Sequence, residues 1–200
     1  MNTHIISGSH RSPSQSAKVS HFLASRIRAR GGKAGVTELA LNALPLWDEG
    51  MWNEDPKWKP IWNPIRDQLR AAQSLIVVVP EYAGMASAAI KNFFLFCSGD
   101  LIAHKPTLLV GVSAGQGGSY PIAEMRASSY KNSRQLYIPD HLIIKEAEKV
   151  LNGDTATGSS DEYYRKRIEY SLSVLEKYES ALQGVRESGV FNYKDYPNGM

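Results

Sequence analysis

The stretch "GSHRSPSQS" at residues 8–16 puts hydroxyls, an amide and one guanidinium directly after a short apolar run. That composition suits an anion. Ser12 fits a helix cap, Pro13 is allowed at a first helical position, and Gln15 stands three residues after the cap, as in a capping box. A helix starting here would bring free backbone amides and the positive end of its dipole together, a ready setting for a phosphate. Ser9, Ser14 and Ser16 add hydroxyls, and Arg11 offers a charge-assisted contact. A serine-rich capped turn has the same composition, so the loop alone leaves both readings open. It has neither the G-x-x-x-x-G-K-[ST] pattern nor the G-x-G-x-x-G spacing. This disfavours the usual nucleoside triphosphate and dinucleotide sites.

Two further segments share the style. "PEYAGMAS" (80–87) carries Pro80, Glu81, Tyr82, Ala83 and Gly84, and "SAGQGGSY" (113–120) carries Ser113, Gly115, Gly117 and Gly118. Small residues let a flat aromatic ligand approach the backbone closely at its edge while one face stays open. Tyr82 reads as a wall of such a site. His10 and Glu81 lie in these loops as candidate proton donors, although an exposed loop histidine is the simpler reading of His10. No residue is assigned a catalytic role. Cys97, the only cysteine, reads as a small buried hydrophobe. It excludes an intrachain disulfide and a multi-cysteine metal site, and the histidines lack the H-E-x-x-H spacing, so no metal is expected.

These loops need elements to hold them. "THIIS" (3–7), "VTELAL" (36–41), "SLIVVVP" (74–80), "KPTLLVGVS" (105–113) and "DHLIIKEA" (140–147) read as strands. The run at 74–80 has the continuous apolar character of a strand buried on both faces. Helical spacing marks Val19, Phe22, Leu23 and Ile27, then residues 65–73, 83–99, 122–133 and about 161–185. Alternating strands and helices imply a parallel sheet with right-handed crossovers and helices on both faces. In such a sheet, ligands bind beyond the carboxyl ends of the strands. All three polar loops follow strands, so they should converge there. The segment 45–64 holds all four tryptophans and four prolines, which discourage a regular helix. It reads as a surface excursion, pinned to the core by Trp or serving as a lid or subunit interface.

Two hundred residues suit one domain with its own core. The net charge of +3 is too small to argue for nucleic acid. No acidic residue precedes Glu38, whereas Arg11, Lys18, Arg26, Arg28, Arg30 and Lys33 do. That bias favours an anion near this end, or simply suits the carboxyl end of a helix. No apolar run is long enough for a membrane span. The N-terminus lacks a signal-peptide pattern, and a reducing cytoplasm is the expected compartment.

The three loops, in this order and spacing, resemble the NADPH-dependent FMN reductase family over about residues 3–185. The first loop matches a G-S-x-R-x-x-S pattern through Gly8, Ser9, Arg11 and Ser14. The second matches P-E-Y-N-G-S through Pro80, Glu81, Tyr82 and Gly84, with Lys91 and Asn92 in the following helix. The resemblance implies a flavodoxin-like α/β sandwich, a five-stranded parallel sheet in order 2-1-3-4-5. It implies that the first loop, Ser9 to Ser16 with Gln15, holds the FMN phosphate. Residues 80–84 would border the isoalloxazine ring, and Ser113 to Gly118 its other side. Ala83 replaces the family's usual asparagine and Met85 its usual serine, which removes one side-chain hydrogen bond to the flavin and leaves backbone contacts. The expected activity is NAD(P)H oxidation through bound FMN. The acceptor would be a small molecule: a quinone, flavin, azo compound or metal oxyanion. A homodimer or homotetramer through the apolar helix is expected, with no nucleic-acid or membrane partner. A flavodoxin-like electron carrier and a non-catalytic flavin-binding protein are the alternatives.

Overall fold

Each apolar run becomes a strand of one twisted sheet. The computed structural model describes residues 1–199. The strands are β1 (Asn2–Ser7), β2 (Lys33–Glu38), β3 (Ser74–Tyr82), β4 (Met85–Ala86), β5 (Pro106–Val112) and β6 (Leu136–Ile144). Five of them run parallel in the order β2-β1-β3-β5-β6, while β4 pairs antiparallel with the end of β3. The expected order 2-1-3-4-5 therefore describes the long strands, and the two-residue β4 is an addition. The helices are α1 (Gln15–Ala29), α2 (Lys59–Ala71), α3 (Ala88–Phe96), α4 (Ser119–Arg126), α5 (Ser159–Ala181) and α6 (Gln183–Arg186).

Strand alternation sends side chains to two separate apolar clusters. Ile5, Ile76 and Val78 pack with Val19, Leu23 and Ile27 of α1 and Ile168, Leu172 and Leu175 of α5. Ile6, Leu75, Val77 and Val79 pack with Ile65 and Leu69 of α2, Phe93 of α3 and Ile122 of α4. Each face of the sheet is thus covered by helices. Among the described residues no helix is long and apolar enough to cross a membrane.

Several boundaries differ from expectation for identifiable reasons. Helix α1 is capped by Ser14, whose side chain accepts from the Ala17 amide at 3.1 Å, and the Ser12–Pro13 bond is cis. Ser12 is not the cap. The expected helix over 83–99 begins only at Ala88, because Tyr82 pairs with Met85 across a tight turn and Ser87 caps the helix. In the tryptophan-rich stretch, two 3-10 turns lead into α2, which accommodates Pro60 in its first turn and Pro64 inside. Trp58 and Trp62 are buried there against Phe96 and Phe93. Tertiary packing of this kind outweighs a poor helix propensity. Half of the pinned-loop reading thus holds: these two tryptophans anchor the core, while Trp52 stays exposed.

Candidate active site

Strands β1, β3 and β5 are neighbours, so the loops leaving their carboxyl ends meet at one edge of the sheet. A cleft of about 410 Å³ opens between them. Its walls include Arg11, Ser14, Gln15, Ser16, Pro80, Glu81 and Tyr82, with Lys18 and Glu148 at its rim. Ser9, Ala83, Gly84, Ser113, Gly115, Gly117 and Gly118 flank these walls without lining the cleft.

The three loops are tied to one another. The Ser87 hydroxyl donates to the Gly8 carbonyl at 2.5 Å, and the Gly8 amide donates to the Val78 carbonyl. Ser9 is 1 % exposed; its hydroxyl shares a 2.7 Å hydrogen bond with the Tyr82 hydroxyl and accepts from the Arg11 amide. Its oxygen therefore joins the first and second loops. Glu81 joins the second and third: its carboxylate accepts the Gly118 amide at 2.5 Å. A side chain at Gly117 would collide with the same carboxylate. The third loop also approaches β5 so closely that a Cβ at Gly111 would lie 2.2 Å from the Gly118 carbonyl. The Ser113 hydroxyl accepts the Gly115 amide at 3.2 Å. Much of the polar character read as ligand-facing thus serves to brace the cradle.

What remains open at the first loop is suited to a phosphate. The amides of Gln15 and Ser16 occupy the first positions of α1, which have no intrahelical acceptor. The buried Gln15 side-chain oxygen has no partner among the described residues. Turning the Gln15 amide about its terminal bond presents its NH₂ at the same place, as a donor to an anion. The Arg11 side chain makes no ion pair among the described residues and lines the cleft. These groups fit a phosphate ester. The turn at Gly84 faces open space, since an added Cβ there would meet nothing within 4 Å.

Sequence reasoning missed Glu124 and did not disclose the bracing roles of Lys18 and Asn92. Lys18 donates to the Ala147 and Val150 carbonyls and to Asn152, fastening the turn at 147–150 to α1. Burial lowers its pKa, against the pull of Asp161 and Glu148. Glu124 accepts the Ala86 amide at 2.6 Å and pairs with Lys91, and the Lys91 hydrogen bond holds its carboxyl below the ordinary range. Asn92 accepts the Trp47 amide at 2.9 Å and donates to the Pro45 carbonyl at 2.9 Å, tethering the tryptophan-rich loop. The Lys-Asn pair after the second loop gave the only signal for the last two. Arg26 and Arg30 are spent elsewhere: both pair with Glu169, and Arg30 also with Glu176, on α5. Cys97 is 2 % exposed and burial pushes its thiol up, which leaves it inert. His10 is exposed, edge-on to Tyr82. No cluster of metal-ligating residues occurs among the described residues.

Comparison with known proteins bears on the family and the fold. The family model described as NADPH-dependent FMN reductase matches residues 1–149. An FMN-dependent NADPH-azoreductase of Staphylococcus aureus is 25% identical over 169 residues, 84% of this chain and 86% of its own. An NADPH azoreductase of Bacillus sp. is 26% identical over 125 residues, covering 62% of this chain and 66% of that protein. Among solved structures, the flavoenzyme NAD(P)H:(acceptor) oxidoreductase FerB of Paracoccus denitrificans superposes with a TM-score of 0.71. It covers 90% of this chain and 98% of its own at 18% identity, and so speaks for the fold alone.

Proposed function

The chain belongs to the NADPH-dependent FMN reductase family, and on that premise we propose that the three-loop cleft holds FMN and works as an NAD(P)H-dependent oxidoreductase site. The single observation that carries the assignment of residues is the cleft itself. An unpaired Arg11, a free helix N-terminus and the Gln15 side chain converge where the family resemblance puts the phosphate. Bound FMN would supply the redox chemistry between NADPH or NADH and an acceptor.

The chain's own residues bind and orient. Arg11, Ser14, Gln15 and Ser16 receive the phosphate. Residues Pro80 to Gly84 present backbone at the edge of the ring, and Tyr82, fixed by Ser9, forms a wall. Ser113, Gly115, Gly117 and Gly118 close the opposite side, with Glu81 fixing the loop from beneath. No protein acid or base is required. Acceptors are small molecules, in keeping with azo-compound and flavin reduction by the relatives. A nicotinamide donor supports a cytoplasmic setting for the work.

We further infer a homodimer or homotetramer. Only Ala88, Lys91 and Leu95 of α3 face solvent, so the contact extends beyond the helix to Met85, Tyr120 and Trp52, all exposed large side chains. A monomer by light scattering at micromolar concentration would contradict this part. The activity is tested by NADPH consumption of the FMN-loaded protein with and without menadione. Acceptor-dependent turnover is expected. A yellow protein that oxidises no NAD(P)H would instead favour the electron-carrier reading.

A further inference from the structure

A second cavity lies at the opposite end of the sheet, where β5 begins. It has a volume of about 320 Å³ and is bounded by Arg70, Asp100, His104, Lys105, Arg186 and Phe191 among others. Three cationic side chains and one carboxylate line it, and Glu179 and Glu187 act on Arg186 from outside the cavity. The arrangement is built rather than loose. Lys105 is 7 % exposed, and its ammonium is aimed by hydrogen bonds to the Leu69 and Arg70 carbonyls at the end of α2. Neither bond carries a countercharge. Arg186 is oriented through one guanidinium nitrogen, which donates to the Gln73 side chain at 3.0 Å and to the Glu179 carbonyl at 3.4 Å, while its buried Nη1 has no partner among the described residues. The buried His104 Nε2 is likewise unpartnered, and its ring is held flat against Phe191 at 3.9 Å between centroids. Arg70 meets Asp100 only at 3.6 Å.

Unmatched buried donors and unmatched buried charge are both costly in the absence of an acceptor. A tetrahedral dianion answers both. It would meet the buried Lys105 ammonium with a countercharge and accept from Lys105, from Nη1 of Arg186 and from the neutral imidazole through its Nε2 proton. Arg70 would close the exposed side. Burial, followed by the charges of Arg186 and Arg70, lowers Lys105 to about 8 against the pull of Asp100. We propose that this cavity is a second binding site, separate from the flavin cleft, for a phosphate-class dianion: inorganic phosphate or a small phosphate monoester.

The test uses FMN-loaded protein, so that the flavin cleft is already filled. Calorimetric titration with inorganic phosphate and, separately, with glycerol 3-phosphate is made at constant ionic strength. Saturable binding of one equivalent is expected. It should weaken about tenfold or more in Arg186→Gln, and in Arg70→Ala, whose exposed side chain lies outside the core and keeps the fold intact. Both variants should keep the flavin absorbance. The tighter of the two titrants identifies whether free phosphate or an ester is the occupant. Absence of saturable binding by either titrant, or binding that both variants leave unchanged, overturns the proposal. Phosphate binding that disappears in Arg11→Ala instead would place it in the flavin cleft and also overturn it.

Discussion

Ala83 and Gly84 stand in sequence at φ 50° and φ 74°. Two consecutive positive values are the signature of the tight hairpin turn that asparagine followed by glycine adopts most readily. Alanine bears a steric cost there that glycine does not, of about 1 kcal/mol. Ala83→Asn should therefore raise stability by about 0.5–1 kcal/mol in a denaturant titration. A lower midpoint would show that the turn is set by its strands rather than by residue type. His4 gives a second prediction. It is buried in β1, bonded to the Thr37 hydroxyl at 2.8 Å, and burial together with the Lys105 charge lowers it to about 4. Between its unfolded pKa of 6.5 and about 4, the unfolded chain binds a proton that the folded one refuses. Stability thus rises with pH across that window and falls on acidification, by up to about 3 kcal/mol. His4→Gln should flatten the slope measured by urea unfolding at pH 4 to 6.5. An unchanged slope would assign the acid sensitivity elsewhere.

The loops act as a braced set, and Glu81 is the link that tests this. Glu81→Ala removes the acceptor of the Gly118 amide, an interaction to a charged group of about 1–3 kcal/mol. The variant should melt lower and bind FMN more weakly, although Glu81 itself need not touch the flavin. Unchanged FMN affinity would mean that the third loop is held by its close approach to Gly111 alone. Glu81 also shows what the sequence made legible. Buried runs such as 74–80 and the three polar loops were readable because their composition is set by burial and by backbone approach. The direction of each polar side chain was not readable, since a glutamate or serine in a loop serves equally as ligand donor or brace. Boundaries failed where a partner strand decides them. Strand β2 begins at Lys33, without an apolar pattern, because Asn2 of β1 pairs with it. Strand β6 begins at Leu136 and passes through Pro139, which an edge strand with an irregular register tolerates. The cap moved from Ser12 to Ser14 because both serines precede the same apolar face, and only the three-dimensional path of the loop chooses between them.

Both apolar clusters share one sheet, and α1 is linked to α5 across the surface by Arg26, Arg30 and Glu169. We read the chain as one domain, which predicts a single unfolding transition with tryptophan fluorescence and far-ultraviolet circular dichroism coinciding. Trp58 and Trp62 report on one face of the sheet, whereas the dichroism reports on all of it, so separated midpoints would reveal two units. The parts meet at the cleft, which joins the first loop from β1, the second from β3 and the third from β5. Titrating FMN into the apoprotein, with flavin fluorescence as the readout, compares the native chain with Arg11→Ala. A tight one-to-one complex in the native chain, weakened about tenfold or more by Arg11→Ala with the melting curve of the apoprotein unchanged, is the expected result. A native chain that takes up no FMN, or an Arg11→Ala variant that binds it equally well, would contradict the assignment of this loop to the flavin phosphate.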